Sequence, residues 1–132
     1  MIRLGITLAA VLAACPAWGA EYRASVLSVY DGDTITVSID GKVDRVRVEN
    51  IDAPEIDGKC QAEKHIAAEA RDFARQWVGS NVVLITGKRE RDQYGRLLAR
   101  VSNDEGADLG EALIRAGLAR KWTGKRRPWC GQ

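Results

Sequence analysis

The chain has 132 residues, enough for one domain, and a formal net charge of +2 from 20 Lys and Arg against 18 Asp and Glu. That balance excludes a polycationic coat for nucleic acid, and 45% hydrophobic residues are enough to build a core. No internal repeat, low-complexity tract or interdomain linker interrupts the sequence.

The first segment reads as a leader. Met1-Ile2-Arg3 is a short basic start, Leu4 to Ala14 is an apolar run, and small residues continue to Ala20. The run is too short to span a bilayer as a helix. Cleavage after Gly19 places small residues, Ala17 and Gly19, at −3 and −1. A buried N-terminal helix is the competing reading. Leu12-Ala13-Ala14-Cys15 also resembles a bacterial lipobox, which would put a lipid on Cys15 and anchor the protein to a membrane. The expected organisation is therefore a signal peptide over 1–19 and one domain over 22–132, secreted or periplasmic unless Cys15 is lipidated. Removing Arg3 with the leader lowers the net charge to +1. Loss of Cys15 leaves Cys60 and Cys130, an even pair expected to be bridged in an oxidising compartment. Two free thiols are the alternative. The bridge would close about 70 residues and stabilise by roughly 4 kcal/mol in the chain-entropy model.

The mature part begins with strands. Tyr22 to Tyr30 is β-rich, and Thr34-Ile35-Thr36-Val37-Ser38-Ile39 alternates polar and apolar with the period of a half-buried strand. Asp40-Gly41 supplies a two-residue type I′ turn. The return strand, 43–51, places Val46 and Val48 on one face and Arg45, Arg47 and Glu49 on the other. Over 61–78 the period becomes helical. Ile66, Ala70, Phe73, Ala74 and Trp77 form an apolar stripe, Glu63, Lys64, Arg71, Asp72 and Arg75 lie mostly on the polar side, and Gly79 ends the helix. His65, the sole histidine, is expected on the exposed side without a chemical role. Strands follow at 82–86 and 97–101. A second helix is expected from Asp108, with Glu111 three residues on, an apolar stripe of Leu109, Ala112, Leu113 and Ala116, and Gly117 as its stop. The pattern is mainly β with two helices, an α+β arrangement; open sheet and closed barrel both fit it.

The chemistry lies in three fragments. Asp31 and Asp33 flank Gly32 just before a strand, and Asp52-Ala53-Pro54-Glu55 closes the return strand. Each alone is an ordinary turn. Together, antiparallel pairing of a hairpin over 33–51 brings its open ends together, so that Asp33 and Asp52 converge. Two aspartates at a loop-rich end suit a hard cation such as Ca²⁺. Glu55 stands close enough to orient or deprotonate a water. Arg47 and Arg96 carry forks that match phosphate, and Asp92-Gln93-Tyr94-Gly95 forms a turn in front of Arg96. The C-terminal cluster Arg120, Lys121, Lys125, Arg126 and Arg127 is either a solvated tail or a phosphate-steering patch.

Asp31-Gly32-Asp33-Thr34, Arg47, Asp52-Ala53-Pro54-Glu55, Asp92-Gln93-Tyr94-Gly95-Arg96 and the run from Glu111 to Ala119 occur in an order and spacing that resembles the thermonuclease, or staphylococcal nuclease-like, family. The resemblance covers most of 24–122. It implies an OB-fold, a five-stranded barrel with packed helices, and Ca²⁺-dependent hydrolysis of DNA and RNA that leaves 3′-phosphate ends. It implies Asp33 and Asp52 as side-chain metal ligands, the Ala53 carbonyl as a further ligand, and Asp31 behind them. Glu55 would be the general base, Arg47 and Arg96 the phosphate contacts, and Tyr94 part of the nucleotide site. Ala53 departs from the family's best-known members, which carry Thr there. The segment Arg126-Arg127-Pro128-Trp129-Cys130 departs too, and looks like the ending of bacterial relatives with a paired cysteine near Cys60. A monomer with no obligate protein partner is expected. The competing reading is an OB-fold module that binds single-stranded nucleic acid or a protein without cutting.

Overall fold

A computed structural model describes residues 19–131. The leader-like segment and Cys15 lie outside them. The elements are β1 (Glu21–Asp31), β2 (Thr34–Ile39), β3 (Lys42–Val48), β4 (Ile51–Asp52), α1 (Gln61–Val78), β5 (Asn81–Arg91), β6 (Leu97–Ser102), α2 (Leu109–Arg115) and β7 (Arg120–Lys121). Five strands close into a barrel in the order β1-β2-β3-β6-β5. Closure requires β3 and β6 to pair in parallel, with Val46 opposite Leu97 and Val48 opposite Ala99, while the other barrel pairs are antiparallel. The barrel removes the open sheet edges that five short strands would otherwise expose. No helix among the described residues is long and apolar enough to cross a membrane.

Alternation builds the interior. Ile35 and Val37 of β2, Val46 and Val48 of β3, Leu84 of β5, and Leu97, Ala99 and Val101 of β6 are almost completely buried. Ala70 and Ala74 of α1 and Leu109 and Leu113 of α2 close the ends of the same cluster. The β2–β3 turn has Asp40 and Gly41 both at positive φ (50° and 81°), as a type I′ turn requires. Asp108 caps α2 by accepting the Glu111 N–H at 2.9 Å. Gly117, at φ 73°, ends it, and the Leu118 N–H reaches back to the Leu113 carbonyl at 2.9 Å.

Two local expectations are corrected. The return strand does not run unbroken through residue 51. It stops at Val48, Asn50 adopts φ 69°, and the chain resumes as β4, which pairs with β7 rather than β2. Asn is among the few non-glycine residues that accept this conformation readily. In α1, Glu63 is not on the solvent side. It is buried at 4% exposure, on a stripe centred on Ala67, Ala70, Ala74 and Val78, while Ile66, Phe73 and Trp77 are half-buried. The small alanines let α1 lie close to the barrel end.

Candidate active site

The site sits where β1, β2, β3 and β4 meet below the N-terminal half of α1. Gly32 explains the Asp-Gly-Asp turn. A Cβ there would lie 3.0 Å from the Ala70 Cβ and 3.1 Å from the Ala53 Cβ, so only glycine lets the turn press against both α1 and the segment after β4. Asp31, Asp33 and Asp52 are all buried, between 4% and 7% exposed.

Asp33 is held from several sides. Its carboxylate accepts the Ala53 N–H at 2.9 Å and the Thr34 hydroxyl at 3.2 Å, and its own N–H donates to Asp31 at 3.1 Å. The Asp33–Ala53 bond ties the two aspartate segments together. Their convergence therefore comes from the kink at Asn50 and this side-chain bond, not from cross-strand pairing, because Asp33 stands opposite Val48, whose N–H donates to the Asp33 carbonyl at 2.8 Å. Burial, and next the charge of Asp33, push the Asp31 carboxyl up to about 7. Burial also raises the Asp52 carboxyl, opposed by Arg126. Buried carboxyls that hold their protons this tightly, as Asp31 and Asp52 do, are short of positive charge.

Arg47 supplies part of that charge. Its guanidinium donates to the Val48 carbonyl at 2.6 Å and the Ile51 carbonyl at 2.9 Å, and lies 3.4 Å from Asp33. These bonds span the kink, so Arg47 both braces the backbone at residues 48–51 and faces the carboxylates. Arg96 is aimed by Asp92, which accepts its Nε–H at 2.7 Å and the backbone N–H groups of Tyr94 and Arg96 at 2.9 Å. Burial alone would raise the Asp92 carboxyl, but these bonds hold it below its ordinary value. Arg96 also reaches the Thr34 hydroxyl at 3.4 Å and lies over the exposed Tyr94 ring at 5.5 Å.

Two grooves open onto this cluster and share Arg47, Glu55, Arg96 and Arg126. One, of about 280 Å³, includes Asp31, Asp33 and Thr34; the other, of about 740 Å³, includes Asp52, Tyr94 and Trp122. Asp31, Asp33, Arg47, Asp52, Glu55, Tyr94 and Arg96 thus line two adjoining grooves, and Ala53 is tied to them through Asp33. His65, exposed on α1, pairs with Glu69 one turn along its own helix and lines neither groove.

Four residues outside the three chemical fragments also contribute: Arg126, Glu63, Trp129 and Trp122. Arg126 places one nitrogen 3.1 Å from Asp52 and 3.3 Å from Glu55, and the other 2.9 Å from Glu63. The Trp129 indole N–H donates to the second oxygen of Asp52 at 3.3 Å. Trp122 faces the larger groove. Neither a solvated tail nor a purely phosphate-facing patch describes the C-terminal basic cluster, since Arg126 turns onto carboxylates and Arg120 stacks on the Trp129 ring at 3.7 Å. Cys60 and Cys130 form a disulfide with a Cα–Cα separation of 6.0 Å. Their sulfurs lie beside Glu63, but as bridged cysteines they offer no thiolate to a metal.

Residues 45–129 match the family described as staphylococcal nuclease homologue. The chain belongs to this family. An uncharacterized endonuclease of Escherichia coli is 32% identical over 118 residues, covering 89% of this chain and 72% of the relative. Protein ParB of Escherichia coli is 42% identical over 101 residues, covering 76% of this chain and 52% of that protein. The thermonuclease of Staphylococcus hyicus is 38% identical over 101 residues, 76% of this chain and 59% of the relative. The closed five-stranded barrel is the OB-fold of the family, and the chain is a hydrolase of the thermonuclease type.

Proposed function

We propose that this nuclease is exported, depends on Ca²⁺, and hydrolyses the phosphodiester bonds of DNA and RNA to leave 3′-phosphate ends. The observation that carries the reading is the joint lining of the grooves: two arginines, one solvent-facing carboxylate and the buried aspartates share one barrel end.

The donor set fits a hard divalent cation. Asp33, Asp52 and the Ala53 carbonyl would hold it, with Asp31 behind Asp33, and the cluster's excess of buried negative charge favours an ion over a neutral ligand. Bound there, Ca²⁺ would supply Lewis-acid polarisation of a phosphate oxygen. The rest is done by this chain's own side chains. Glu55 is exposed, so its carboxylate can take a proton from a water in the groove. The resulting hydroxide adds to phosphorus and the bond to the 5′-oxygen breaks; that oxygen takes a proton from water in the groove, leaving a 5′-hydroxyl and a 3′-phosphate. Arg47 and Arg96, held by backbone carbonyls and by Asp92, offer pre-oriented N–H groups to the charge that grows on phosphate. Tyr94 presents an exposed ring next to Arg96 for the adjoining nucleotide. Export is supported by the leader-like start and by a disulfide, a bond that persists in oxidising compartments.

Plasmid and RNA degradation in Ca²⁺, and in excess EGTA, tests this reading. Cleavage is expected only with the ion, with 3′-phosphate ends, and Asp33→Asn with Asp52→Asn should abolish the calcium response. Nucleic-acid binding without cleavage in either condition would instead make the chain a binding module.

A further inference from the structure

Residues 122–131 form no helix or strand, yet they cross the site at a fixed place. The anchor is Glu63. Its buried carboxylate accepts the Lys59 N–H at 3.0 Å and the Glu55 N–H at 3.4 Å, so it pins both ends of the short loop that carries Glu55. Gly58 packs against it so closely that a Cβ would fall 2.6 Å from the Glu63 carboxyl carbon. A buried carboxylate needs a cation nearby. Arg126 is that cation, at 2.9 Å, and its other nitrogen bridges Glu55 and Asp52.

The strap has its own supports. The Cys60–Cys130 bond fastens it to the residue before α1, three residues from Glu63. Trp129 donates to Asp52, and Arg120 covers the Trp129 ring and donates to the Pro128 carbonyl at 2.9 Å. Arg126 is thus delivered to the rim by a covalent staple and a stacked aromatic, rather than by a strand.

Resting on the nuclease reading above, we propose that Arg126 is a positioning residue for Glu55. Glu55 is exposed and would sample many rotamers on its own. The Glu63–Arg126 pair gives its carboxylate one fixed partner at 3.3 Å and sets it beside Asp52. One oxygen of Glu55 takes that contact, while the exposed side chain lines both grooves, where water reaches it. Arg126 acts on the reaction through Glu55 and does not carry the phosphate.

The test is a double-mutant cycle on the full, disulfide-bonded protein, with kcat and KM measured on DNA in Ca²⁺ after melting curves confirm folding. Arg126→Ala should lower kcat by about 10–100-fold through misplacement of the base, with KM unchanged. In the Glu55→Gln background the same change should cost nothing further, because its target is gone. Hydrogen exchange provides a readout apart from activity: the amides of Glu55 and Lys59 should exchange faster in Arg126→Ala. The inference is overturned if Arg126→Ala raises KM alone, multiplies into the Glu55→Gln loss, or leaves kcat intact while Glu55→Gln is deficient. A Glu55→Gln enzyme as active as wild type would instead bring down the nuclease mechanism and this inference with it.

Discussion

The barrel rim and the C-terminal strap place charged groups within one site by different means. At the rim, Arg47 projects from β3 and Asp33 from the turn directly before β2, and their partners are backbone groups nearby: the Ala53 N–H for Asp33, the Val48 and Ile51 carbonyls for Arg47. In the strap, Arg126 and Trp129 belong to no strand, and they are located by a disulfide, a stacked arginine and a buried glutamate. Groups on a strand, or in a turn locked between two paired strands, inherit the rigidity of the whole barrel. Strap-borne groups depend on a few contacts, each of which can be removed singly. The rim suits the chemistry itself, and the strap suits its adjustment.

The largest effects should come from groups at the centre of that contrast. Glu55→Gln keeps shape and removes the base, and should lower kcat by about 10²–10⁴-fold under single-turnover conditions. Arg47→Ala and Arg96→Ala should each cost on the order of 10²-fold by removing charge stabilisation. The two arginines should differ in stability. Arg47→Ala strips a partner from Asp33 and from two carbonyls and should lower the melting temperature, whereas Arg96→Ala leaves Asp92 with its backbone donors and should lower it less. Equal melting temperatures would break the picture of Arg47 as a brace.

Removing the staple separates the regions directly. The disulfide joins residues 70 positions apart, so Cys60→Ser with Cys130→Ser should cost roughly 4 kcal/mol by the chain-entropy model in denaturant unfolding. Barrel secondary structure should survive in the circular dichroism spectrum while kcat falls as in Arg126→Ala. A double variant with wild-type kcat would show that the strap holds its place without the bond.

A proton reports on the rim. The Asp31 carboxyl is raised from 3.8 to about 7 in the folded protein, by burial and then by Asp33. Between those values the folded state binds more protons at this group than the unfolded state does, so stability should fall as pH rises through that range. Asp31→Asn should flatten that fall in metal-free protein, as measured by denaturant midpoints from about pH 4 to pH 7. Glu63 and Asp92, whose carboxyls lie below their ordinary values, work in the opposite sense and lose their contributions only at more acid pH. An Asp31→Asn profile parallel to wild type would remove Asp31 from the charged cluster.

These two regions also differ in how far a reader of the sequence could foresee them. Period-2 alternation placed Ile35, Val37, Val46 and Val48 inside, and Asp40-Gly41 marked the hairpin, because local backbone preference and burial agree there. The closed barrel was not legible from pattern, since the parallel β3–β6 pair that closes it joins segments about fifty residues apart; it came from resemblance. The kink after Val48 had one clue, Asn50, but Ile51 and its neighbours looked like continuing strand. Glu63 was misplaced because a helical charge reads as solvent-facing unless its buried partner is known, and Arg126 lies 63 residues away. Arg126 itself was hidden within a basic run, where nothing local distinguishes an arginine that turns inward from its neighbours.

The smallest expected effect sharpens the contrast between inherited and exposed charge. Lys121 lies on β7 opposite Ile51, close to the rim in register, but its side chain is exposed and belongs only to the basic cluster. An exposed charge attracts a polyanion over a distance set by salt, about 10 Å at 0.1 M, and is largely screened beyond it. Lys121→Ala should therefore raise KM for DNA modestly at low salt, leave kcat unaltered, and converge on wild type as NaCl is increased. Arg47, half-buried against Asp33 and two carbonyls, should behave differently: the deficit of Arg47→Ala should persist across the same salt series, because ions in solution reach it poorly. Measuring both variants over one titration separates the roles. A Lys121→Ala loss in kcat that survives high salt would place that lysine among the groups acting on the transition state, and the division between rim chemistry and peripheral steering would fail at β7.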